Sequence, residues 1–459
     1  MKARAMRSPG ALLWSSTALL LAALSASTAW AAERFPQEGV WRGEFSVDGD
    51  PIPFNFEVKG RDASAASFVL LNGARRDRFV VERVSDDTLS VPMNTYDAAL
   101  VFSVRDDGTL SGEYRDLVPG RKGARNIPFT AEHGKAWRFV EPGREQAAEV
   151  DLNGKWALVQ SDQARLRDDN SRERDNRRNQ VGLFQQQGNR LTGVIMTAVG
   201  DSRELEGTVQ GDRFWLSHFS GPSPRLIKGT IDEDGNIQGV SGSGIYNVVR
   251  FEGRKDERAE LPDPYQLTFL KDGQKSIDFS FPDLEGRPVS LGDDKYRGKV
   301  VIVEVIGTWC PNCTAQTYFL SPWFKQNRHR GVEAVAVAFE QEDSFEYFQK
   351  VLGKFKQYFG IEYDIVFGGI ADKKVATEKL HGVNYMAAFP TTFIIDRKGE
   401  VREIYTGYTG TVTGEYYERY VANFNALLDE LLAEPDPYAA AAAGDAPAAE
   451  PAALLATVR

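Results

Sequence analysis

The sequence predicts a multidomain protein in which two N-terminal antiparallel β modules, each a barrel or a sandwich, precede an α/β domain with a mixed central sheet. A chain of 459 residues is too long for one ordinary hydrophobic core. Gly39–Phe139 and Leu152–Glu252 consist of short aromatic and β-branched runs separated by Gly, Asp and Asn, which is typical of antiparallel strands and turns. Beyond residue 265, apolar strands alternate with amphipathic stretches, which indicates parallel strands joined by helices.

The composition along the chain divides it into six predicted segments. They are a signal peptide (1–31), β module 1 (34–143), β module 2 (150–256), a linker (257–270), the α/β domain (271–434) and an Ala- and Pro-rich tail (435–459). The tail has little apolar side chain to bury, so we expect it to be disordered.

The two β modules resemble each other in sequence. Gly39-Val40-Trp41 corresponds to Gly154-Lys155-Trp156, and the turn at Asp107-Gly108 corresponds in the same order to the turn at Asp234-Gly235. These matches favour a duplication, with the alternative that unrelated β segments share such starts and turns. We interpret Trp41 and Trp156 as core residues rather than as platforms for a ligand.

Individual elements can also be predicted in the C-terminal part. Continuous apolar runs indicate buried strands, apolar residues at helical spacing indicate amphipathic helices, and a Gly turn between two apolar runs indicates a hairpin. The elements are strands Val300–Ile306 and Val332–Phe339, helix Ser344–Phe359, the hairpin of Thr392–Asp396 and Val401–Tyr405, and helix Glu415–Leu432.

The N-terminus predicts a cleaved secretory signal. Lys2, Arg4 and Arg7 form a basic start. An apolar run from Ala11 to Leu24 leads to Ala29-Trp30-Ala31, which fits a small-residue cleavage site. The run is shorter than the ~20 residues that span a bilayer, which favours cleavage over a membrane anchor. We therefore expect a periplasmic or otherwise exported protein, soluble after cleavage and without stable membrane insertion.

Charge restricts the classes of partner. The formal net charge of −10 argues against nucleic acid as a partner. The dense mixture of Arg and Asp between Ser161 and Gln180 fits a solvated loop better than a docking patch.

The two cysteines, Cys310 and Cys313, carry the predicted chemistry. They follow a buried strand, where a helix is predicted to begin, and Pro311 suits the first helical position. Free N–H groups and the helix dipole stabilise a thiolate there and lower the pKa of the thiol. The spacing therefore predicts a redox-active disulfide, in which Cys310 attacks and Cys313, one turn later, resolves the mixed disulfide.

Two other interpretations of the pair are weaker. A structural disulfide would close only a tiny loop and add little stability. A structural zinc site needs four ligands, and none of the four histidines stands at ligand spacing from the cysteines. We therefore predict no metal site and no cofactor, and keep a copper-handling or docking protein, with the dithiol as ligand, as an alternative.

The C-terminal motifs resemble a known family. Trp309-Cys310 with Cys313 after a buried strand, and Phe389-Pro390-Thr391 far downstream, are similar to the thioredoxin superfamily. Ile277–Gly286 extends the likeness to its TlpA/ResA branch of exported disulfide reductases, over about 277–432. The resemblance implies a thioredoxin fold and protein-disulfide reductase activity. It also implies oxidised thiol proteins, such as apocytochromes, as substrates and a membrane electron donor for re-reduction.

Glu304 is the third predicted catalytic residue. It lies six residues before Cys310, near the position at which the family places a buried acid. A carboxyl group within an apolar strand has a raised pKa and could accept the proton of Cys313 during resolution. The alternative is an acid exposed at a strand edge.

Three residues are assigned to substrate binding by the resemblance. Pro390 corresponds to the family's cis proline, Phe389 would present its backbone to an extended substrate, and Trp309 would form an apolar lip beside the thiolate. Gln316 departs from the family, which often has an acid three residues after the second cysteine. The dipeptide between the cysteines, Pro-Asn, lacks the His of strongly oxidising relatives, which favours a reductase.

A thiol peroxidase with an antioxidant role is the alternative enzyme. Such enzymes carry Thr or Ser three residues before the reactive cysteine and Pro four residues earlier still. Gly307 and Val303 occupy those positions here, so the peroxidase pattern is absent.

Overall fold

The computed structural model describes residues 34–47, 49–119, 126–160, 178–243 and 246–438. The predicted signal peptide, residues 161–177 of the charged run and the tail from residue 439 lie outside the described residues. Within the described residues, no helix has both the length and the apolar character needed to cross a bilayer. The borders of the six predicted segments stay a prediction.

The first β module is one antiparallel sheet of nine strands. They are β1 (Gly39–Val47), β2 (Asp50–Lys59), β3 (Ser67–Asn72), β4 (Arg75–Val80), β5 (Glu82–Ser85), β6 (Thr88–Pro92), β7 (Ala98–Val104), β8 (Leu110–Asp116) and β9 (Ile127–His133). The order is β4-β3-β2-β1-β9-β8-β7-β6-β5, so the last strand pairs with the first. Only Val81 separates the two edge strands in sequence, and the sheet forms a nearly closed barrel, called barrel 1 below.

The second β module, called barrel 2 below, closes completely. Its strands are β10 (Gly154–Gln160), β11 (Asn179–Gln187), β12 (Arg190–Thr197), β13 (Gly200–Asp201), β14 (Leu205–Gln210), β15 (Arg213–His218), β16 (Arg225–Ile231), β17 (Ile237–Ser243) and β18 (Tyr246–Lys255). Strand β10 pairs with both β11 and β18, and β11 pairs with β12, which completes a ring of eight strands. The short strand β13 pairs only with the end of β12 and forms a hairpin at the rim.

Equivalent tryptophans occupy the first strands of the two barrels. Trp41 and Trp156 are 0% and 2% exposed, which confirms that they are core residues. Each indole N–H donates at 2.9 Å to the carbonyl four residues earlier, that of Gln37 or Leu152. This shared geometry is what a duplication predicts.

Replacing Trp156 with Ala is expected to lower the free energy of unfolding by about 3–5 kcal/mol, because a buried indole leaves a large cavity. Val159 lies on the same strand and is 38% exposed. The control Val159→Ala is expected to change the free energy by less than about 0.5 kcal/mol. Urea unfolding followed by circular dichroism measures both. A loss no larger than that of the control would show that Trp156 does not hold the barrel core.

The α/β domain, called the redox domain below, contains the remaining elements. The helices are α1 (Pro311–Asn327), α2 (Phe345–Phe359), α3 (Lys373–Lys379) and α4 (Glu415–Ala433). The strands are β19 (Phe269–Leu270), β20 (Ser280–Pro282), β21 (Pro288–Ser290), β22 (Val300–Ile306), β23 (Val332–Glu340), β24 (Asp364–Ile370), β25 (Val383–Tyr385), β26 (Thr391–Ile395) and β27 (Val401–Thr406). The central sheet has the order β24-β23-β22-β26-β27, with β22 to β24 parallel and β26 and β27 antiparallel. This mixed sheet confirms the predicted fold class.

Both barrels contact the redox domain through polar groups. In barrel 1, Asp97 pairs with Lys350 of α2 at 3.0 Å. In barrel 2, Lys155 pairs with Glu415 of α4 at 3.1 Å. The hairpin of β12 and β13 reaches the start of α1, where the two cysteines lie.

Candidate active site

Cys310 is the N-cap residue of α1, directly after the turn that leaves β22. Its sulfur accepts the backbone N–H of Cys313 at 3.4 Å, one of the helix N–H groups that has no partner within the helix. Cys310 is 5% exposed and Cys313 is fully buried, and both are free thiols in this structure. The sequence prediction therefore places both cysteines correctly, at the end of a buried strand and the start of a helix.

The two thiols differ in their ionisation. Burial by itself raises the pKa of Cys310, but hydrogen bonds from the Cys313 thiol and from backbone N–H groups, together with the charge of Arg203, outweigh it. The pKa of Cys310 is therefore lowered. Burial raises the pKa of Cys313 well above its ordinary value, and its hydrogen bond with Cys310 raises it further. Cys310 is therefore the thiol of the pair that ionises more readily, and Cys313 is the one that retains its proton to higher pH.

Glu304 lies at the centre of the sheet, not at an exposed edge. It is fully buried on β22, between β23 and β26. The Tyr363 hydroxyl donates to its Oε2 at 3.0 Å, while Oε1 has no partner within the described residues. Burial raises the pKa of Glu304 to about 8, and the hydrogen bond from Tyr363 only partly offsets this rise. The charge of Glu304 in turn raises the pKa of Cys313, so the carboxyl group and this thiol interact.

Gln316 occupies the helix position at which the family often has an acid. It is 1% exposed, and its Nε2 donates to the Thr392 hydroxyl at 2.6 Å. Thr392 is the direct partner of Glu304 in the antiparallel pairing of β22 and β26. The amide therefore lies beside the strand pair that carries Glu304, without adding a second charge there.

The substrate-binding residues predicted by the resemblance surround Cys310. The Phe389–Pro390 peptide bond is cis, as the resemblance implies. The Cys310 thiol points to the Phe389 carbonyl, 3.5 Å away. The Trp309 and Phe389 rings meet edge to face, with their centroids 5.7 Å apart, and the Trp309 indole N–H donates to the Phe339 carbonyl. The structure thus places the Phe389 carbonyl against the sulfur, with Pro390 and Trp309 next to Phe389, while the roles of the three residues toward a substrate stay a prediction.

Glu340 is a second buried carboxyl group that sequence reasoning missed. It ends β23 and accepts hydrogen bonds from the backbone N–H and the hydroxyl of Thr308, each at 2.8 Å. Burial raises its pKa to about 8 despite these bonds, and the charge of Cys310 contributes to the rise. The sequence did contain an indication of this residue. The carboxyl ends of neighbouring parallel strands meet at one edge of a sheet, so the Glu that follows Val332–Phe339 is expected beside the residues that follow β22.

Both barrels contribute side chains to the surroundings of Cys310. Tyr96 of barrel 1 is buried, which raises its pKa to about 12, and its hydroxyl interacts electrostatically with Cys310 and Arg203. Arg203 of barrel 2 donates to Asn312 between the cysteines. A cavity of about 330 Å³ is lined by Trp309 and Asn312 together with residues of both barrels, among them Tyr96 and Arg203. Nothing in the local sequence around the cysteines indicates these contacts.

The described residues contain no group of three or more His, Cys, Asp or Glu side chains that could hold a metal ion. A metal ion bound to the two cysteines would therefore find no third His, Cys, Asp or Glu ligand among the described residues.

Comparisons with known proteins match the redox domain. The AhpC/TSA family model matches residues 273–404. The thiol-disulfide oxidoreductase ResA of Geobacillus kaustophilus (strain HTA426) is 35% identical over 157 residues, which cover 34% of this chain and 79% of that protein. ResA of Bacillus cereus (strain ATCC 10987 / NRS 248) is 30% identical over 183 residues, 39% of this chain and 88% of that protein. Among solved structures, a thiol:disulfide interchange protein of the thioredoxin family from Chlorobium tepidum TLS has 22% identity and a TM-score of 0.27, covering 35% of this chain and 99% of that chain.

Proposed function

The chain belongs to the family of ResA thiol–disulfide oxidoreductases, and we propose that it reduces disulfides of oxidised thiol proteins outside the cytosol through Cys310 and Cys313. The proposal includes the export that residues 1–31 predict. It also includes a membrane electron donor that returns the pair to the dithiol state.

The reaction begins at Cys310. Its thiolate attacks one sulfur of the substrate disulfide, the substrate S–S bond breaks, and the other substrate sulfur leaves as a thiolate that takes up a proton. A mixed disulfide now joins Cys310 to the substrate. The Cys313 thiol then loses its proton and attacks the Cys310 sulfur, which releases the second substrate thiol. Two electrons pass to the substrate, and the protein is left with a Cys310–Cys313 disulfide.

The single observation that carries this proposal is the asymmetry of the two thiols. The pKa of Cys310 is lowered by its hydrogen bonds at the start of α1, whereas that of Cys313 is raised by complete burial. A nucleophile must be ionised before it meets its substrate, and a resolving thiol is best kept protonated until the mixed disulfide has formed. The geometry thus supports the assignment of the two roles.

Glu304 is proposed as the group that accepts the Cys313 proton. Its Oε1 is free of partners within the described residues, and its pKa of about 8 lies close to neutral pH. A general base works best when its pKa is near the working pH. Tyr363, which donates to Oε2, would hold the carboxyl group in place during the transfer.

The Phe389–Pro390 segment is proposed to receive the substrate backbone. The Phe389 carbonyl accepts a hydrogen bond from the Cys310 thiol in the free protein. That bond is lost when Cys310 becomes ionised or enters a mixed disulfide, which leaves the carbonyl available to a backbone N–H of the substrate. Trp309 would cover the apolar side of the same segment.

Trapping of the mixed disulfide tests the proposal. Cys313→Ser retains the attacking thiol but cannot resolve, so the variant is expected to accumulate disulfides between Cys310 and its partners in the native compartment. Non-reducing electrophoresis and mass spectrometry identify them, with Cys310→Ser as the matched control. Equal capture by the two variants, or no capture by either, would contradict a nucleophilic Cys310.

A thiol peroxidase is the second candidate, because the family model that matches residues 273–404 is the AhpC/TSA model. Gly307 and Val303 stand where the peroxidase pattern has Thr or Ser and Pro, which favours the reductase. Peroxide consumption by the reduced protein separates the two. Turnover with peroxide that exceeds turnover with a protein disulfide would select the peroxidase.

A further inference from the structure

Barrel 2 reaches the dithiol through one arginine. Arg203 follows the β12–β13 hairpin and is 6% exposed. Its Nη2 donates to the Pro311 carbonyl at 2.5 Å and to Asn312 Oδ1 at 3.0 Å. Pro311 and Asn312 are the two residues between the cysteines. A single guanidinium thus binds the backbone and the side chain of the active-site turn, from more than 100 residues away in the sequence.

The arginine is itself fixed from two directions. The Asp201 side chain is fully buried, lies 3.5 Å from Nη1 and accepts the backbone N–H of Arg203 at 2.8 Å. Its other oxygen accepts the N–H of Gly410, in the loop after β27, at 2.7 Å. Asp201 therefore joins Arg203 to a second part of the redox domain, the loop after β27.

Two backbone features show that this contact requires a specific conformation. Arg203 has a φ of 67°, the one positive φ at a residue other than Gly among the described residues. Residues other than Gly that are held in that region are strained and cluster at functional sites. Near it in the chain, a Cβ on Gly200 would lie 1.7 Å from Nδ2 of Asn312, so any other residue at position 200 would force the Asn312 amide to move. The strain and the close approach both serve the same contact with the turn between the cysteines.

We propose, building on the function proposed above, that Arg203 is a positioning residue of the redox centre: barrel 2 uses its guanidinium to hold the Pro311–Asn312 turn and to stabilise the Cys310 thiolate. The redox centre is then composite. The redox domain supplies the reacting sulfurs, and the barrel supplies a fixed positive charge that the family match, which begins at residue 273, does not contain.

The charges that face Cys310 support this arrangement. Burial raises the pKa of Cys310, whereas hydrogen bonds from Cys313 and from backbone N–H groups, together with the charge of Arg203, lower it. Glu340 on β23 and the Tyr96 hydroxyl of barrel 1 also interact with the sulfur, and Cys313 lies one turn along α1. Arg203 is the one cation among these groups. Because a stabilised thiolate favours the reduced dithiol over the disulfide, its charge also makes the pair less reducing.

The test uses the full-length chain with Arg203→Gln. In a Cys313→Ser background, thiolate absorbance against pH is expected to show that the pKa of Cys310 rises by about one unit. In the two-cysteine protein, the equilibrium constant with glutathione is expected to shift about tenfold toward the protein disulfide, or about 30 mV more reducing. Arg203→Lys keeps the positive charge but cannot make both contacts of the planar guanidinium. Its Cys310 pKa and its equilibrium constant with glutathione should therefore lie between those of the parent and of Arg203→Gln.

A matched control comes from the same barrel. Arg213 on β15 is exposed and lies over the Trp215 ring, so Arg213→Gln is expected to leave both quantities at the parent value. If Arg203→Gln fails to fold, Asn312→Ala releases one of the two contacts and should raise the pKa of Cys310 by a smaller amount in the same direction. A folded Arg203→Gln with parental thiolate pKa and equilibrium constant would overturn the inference.

The two proposals fail in different ways. If neither thiol of the parent protein titrates with a pKa below that of an ordinary thiol, and the protein exchanges no disulfide, the proposed function is wrong. If the parent exchanges disulfides and Arg203→Gln matches it in both measurements, only the role of Arg203 is wrong.

Discussion

Replacing Cys310 with Ser is expected to lower the steady-state rate of insulin-disulfide reduction by about 10³-fold or more. A hydroxyl is not ionised near neutral pH, so the variant lacks the nucleophile even though the start of α1 is unchanged. Serine has the size of cysteine and can keep the contacts with the Cys313 N–H and the Phe389 carbonyl, so we expect the substitution to remove the reaction and not the fold.

The comparison with Cys313→Ser makes this prediction specific. That variant also fails to turn over, but it should still release one substrate thiol per protein molecule in a single-turnover experiment, because the first attack needs only Cys310. Cys310→Ser should release none. Turnover by Cys310→Ser within tenfold of the parent would show that the first attack comes from another group.

Much of the redox domain follows from local sequence. The predicted helix Ser344–Phe359 is observed as α2, from Phe345 to Phe359, with the Ser344 hydroxyl accepting the Tyr347 N–H as a cap. Its apolar residues recur at helical spacing, so the burial of one face determines the element. The hairpin predicted for Thr392–Asp396 and Val401–Tyr405 is observed as β26 and β27, because a continuous apolar run forms a buried strand and Gly399 permits the turn that follows it.

The architecture of the β modules could be predicted only in part. Aromatic runs and Gly turns indicated antiparallel strands, and the burial of Trp41 and Trp156 followed from their positions. The choice between a barrel and a sandwich depends on whether the first and last strands pair, as β10 and β18 do. Such pairing joins segments about 100 residues apart, and no local pattern in either strand specifies it.

The residues of the candidate site differ in the same way, since some follow from local sequence and one does not. Cys310, Cys313 and Glu304 could be found because a helix start and an apolar strand are local features. Arg203 could not, because its contact with Asn312 spans 109 residues and depends on how barrel 2 docks against the redox domain. A residue that acts across a domain boundary leaves no periodicity or spacing in the sequence.

Glu304→Gln is expected to slow release of the mixed disulfide about 10²-fold at pH 7–8, the second large effect, because the amide cannot accept the Cys313 proton. In the parent, release should accelerate as pH rises toward about 8, where Glu304 becomes ionised. The variant should lose this rise. Glu333→Gln on the neighbouring strand is the matched control, since Glu333 pairs with Val301, at the far end of β22 from the cysteines. Stopped-flow measurement of the second substrate thiol separates this step from the first attack.

The same substitution should stabilise the protein, which distinguishes a proton acceptor from a residue that merely supports the fold. Glu304 holds its proton up to about pH 8 in the folded chain, against an ordinary value of 4.5. The unfolded chain therefore binds fewer protons between those pH values, and the free energy of unfolding falls as pH rises through that window. Glu304→Gln removes this loss, so at pH 8–9 the variant should be more stable than the parent by about 3–5 kcal/mol, with no such gain near pH 4. Tyr363 retains an acceptor in the amide oxygen. A variant that is both slower and less stable at pH 8 would instead mean that Glu304 is a structural residue whose loss disturbs Cys313 indirectly.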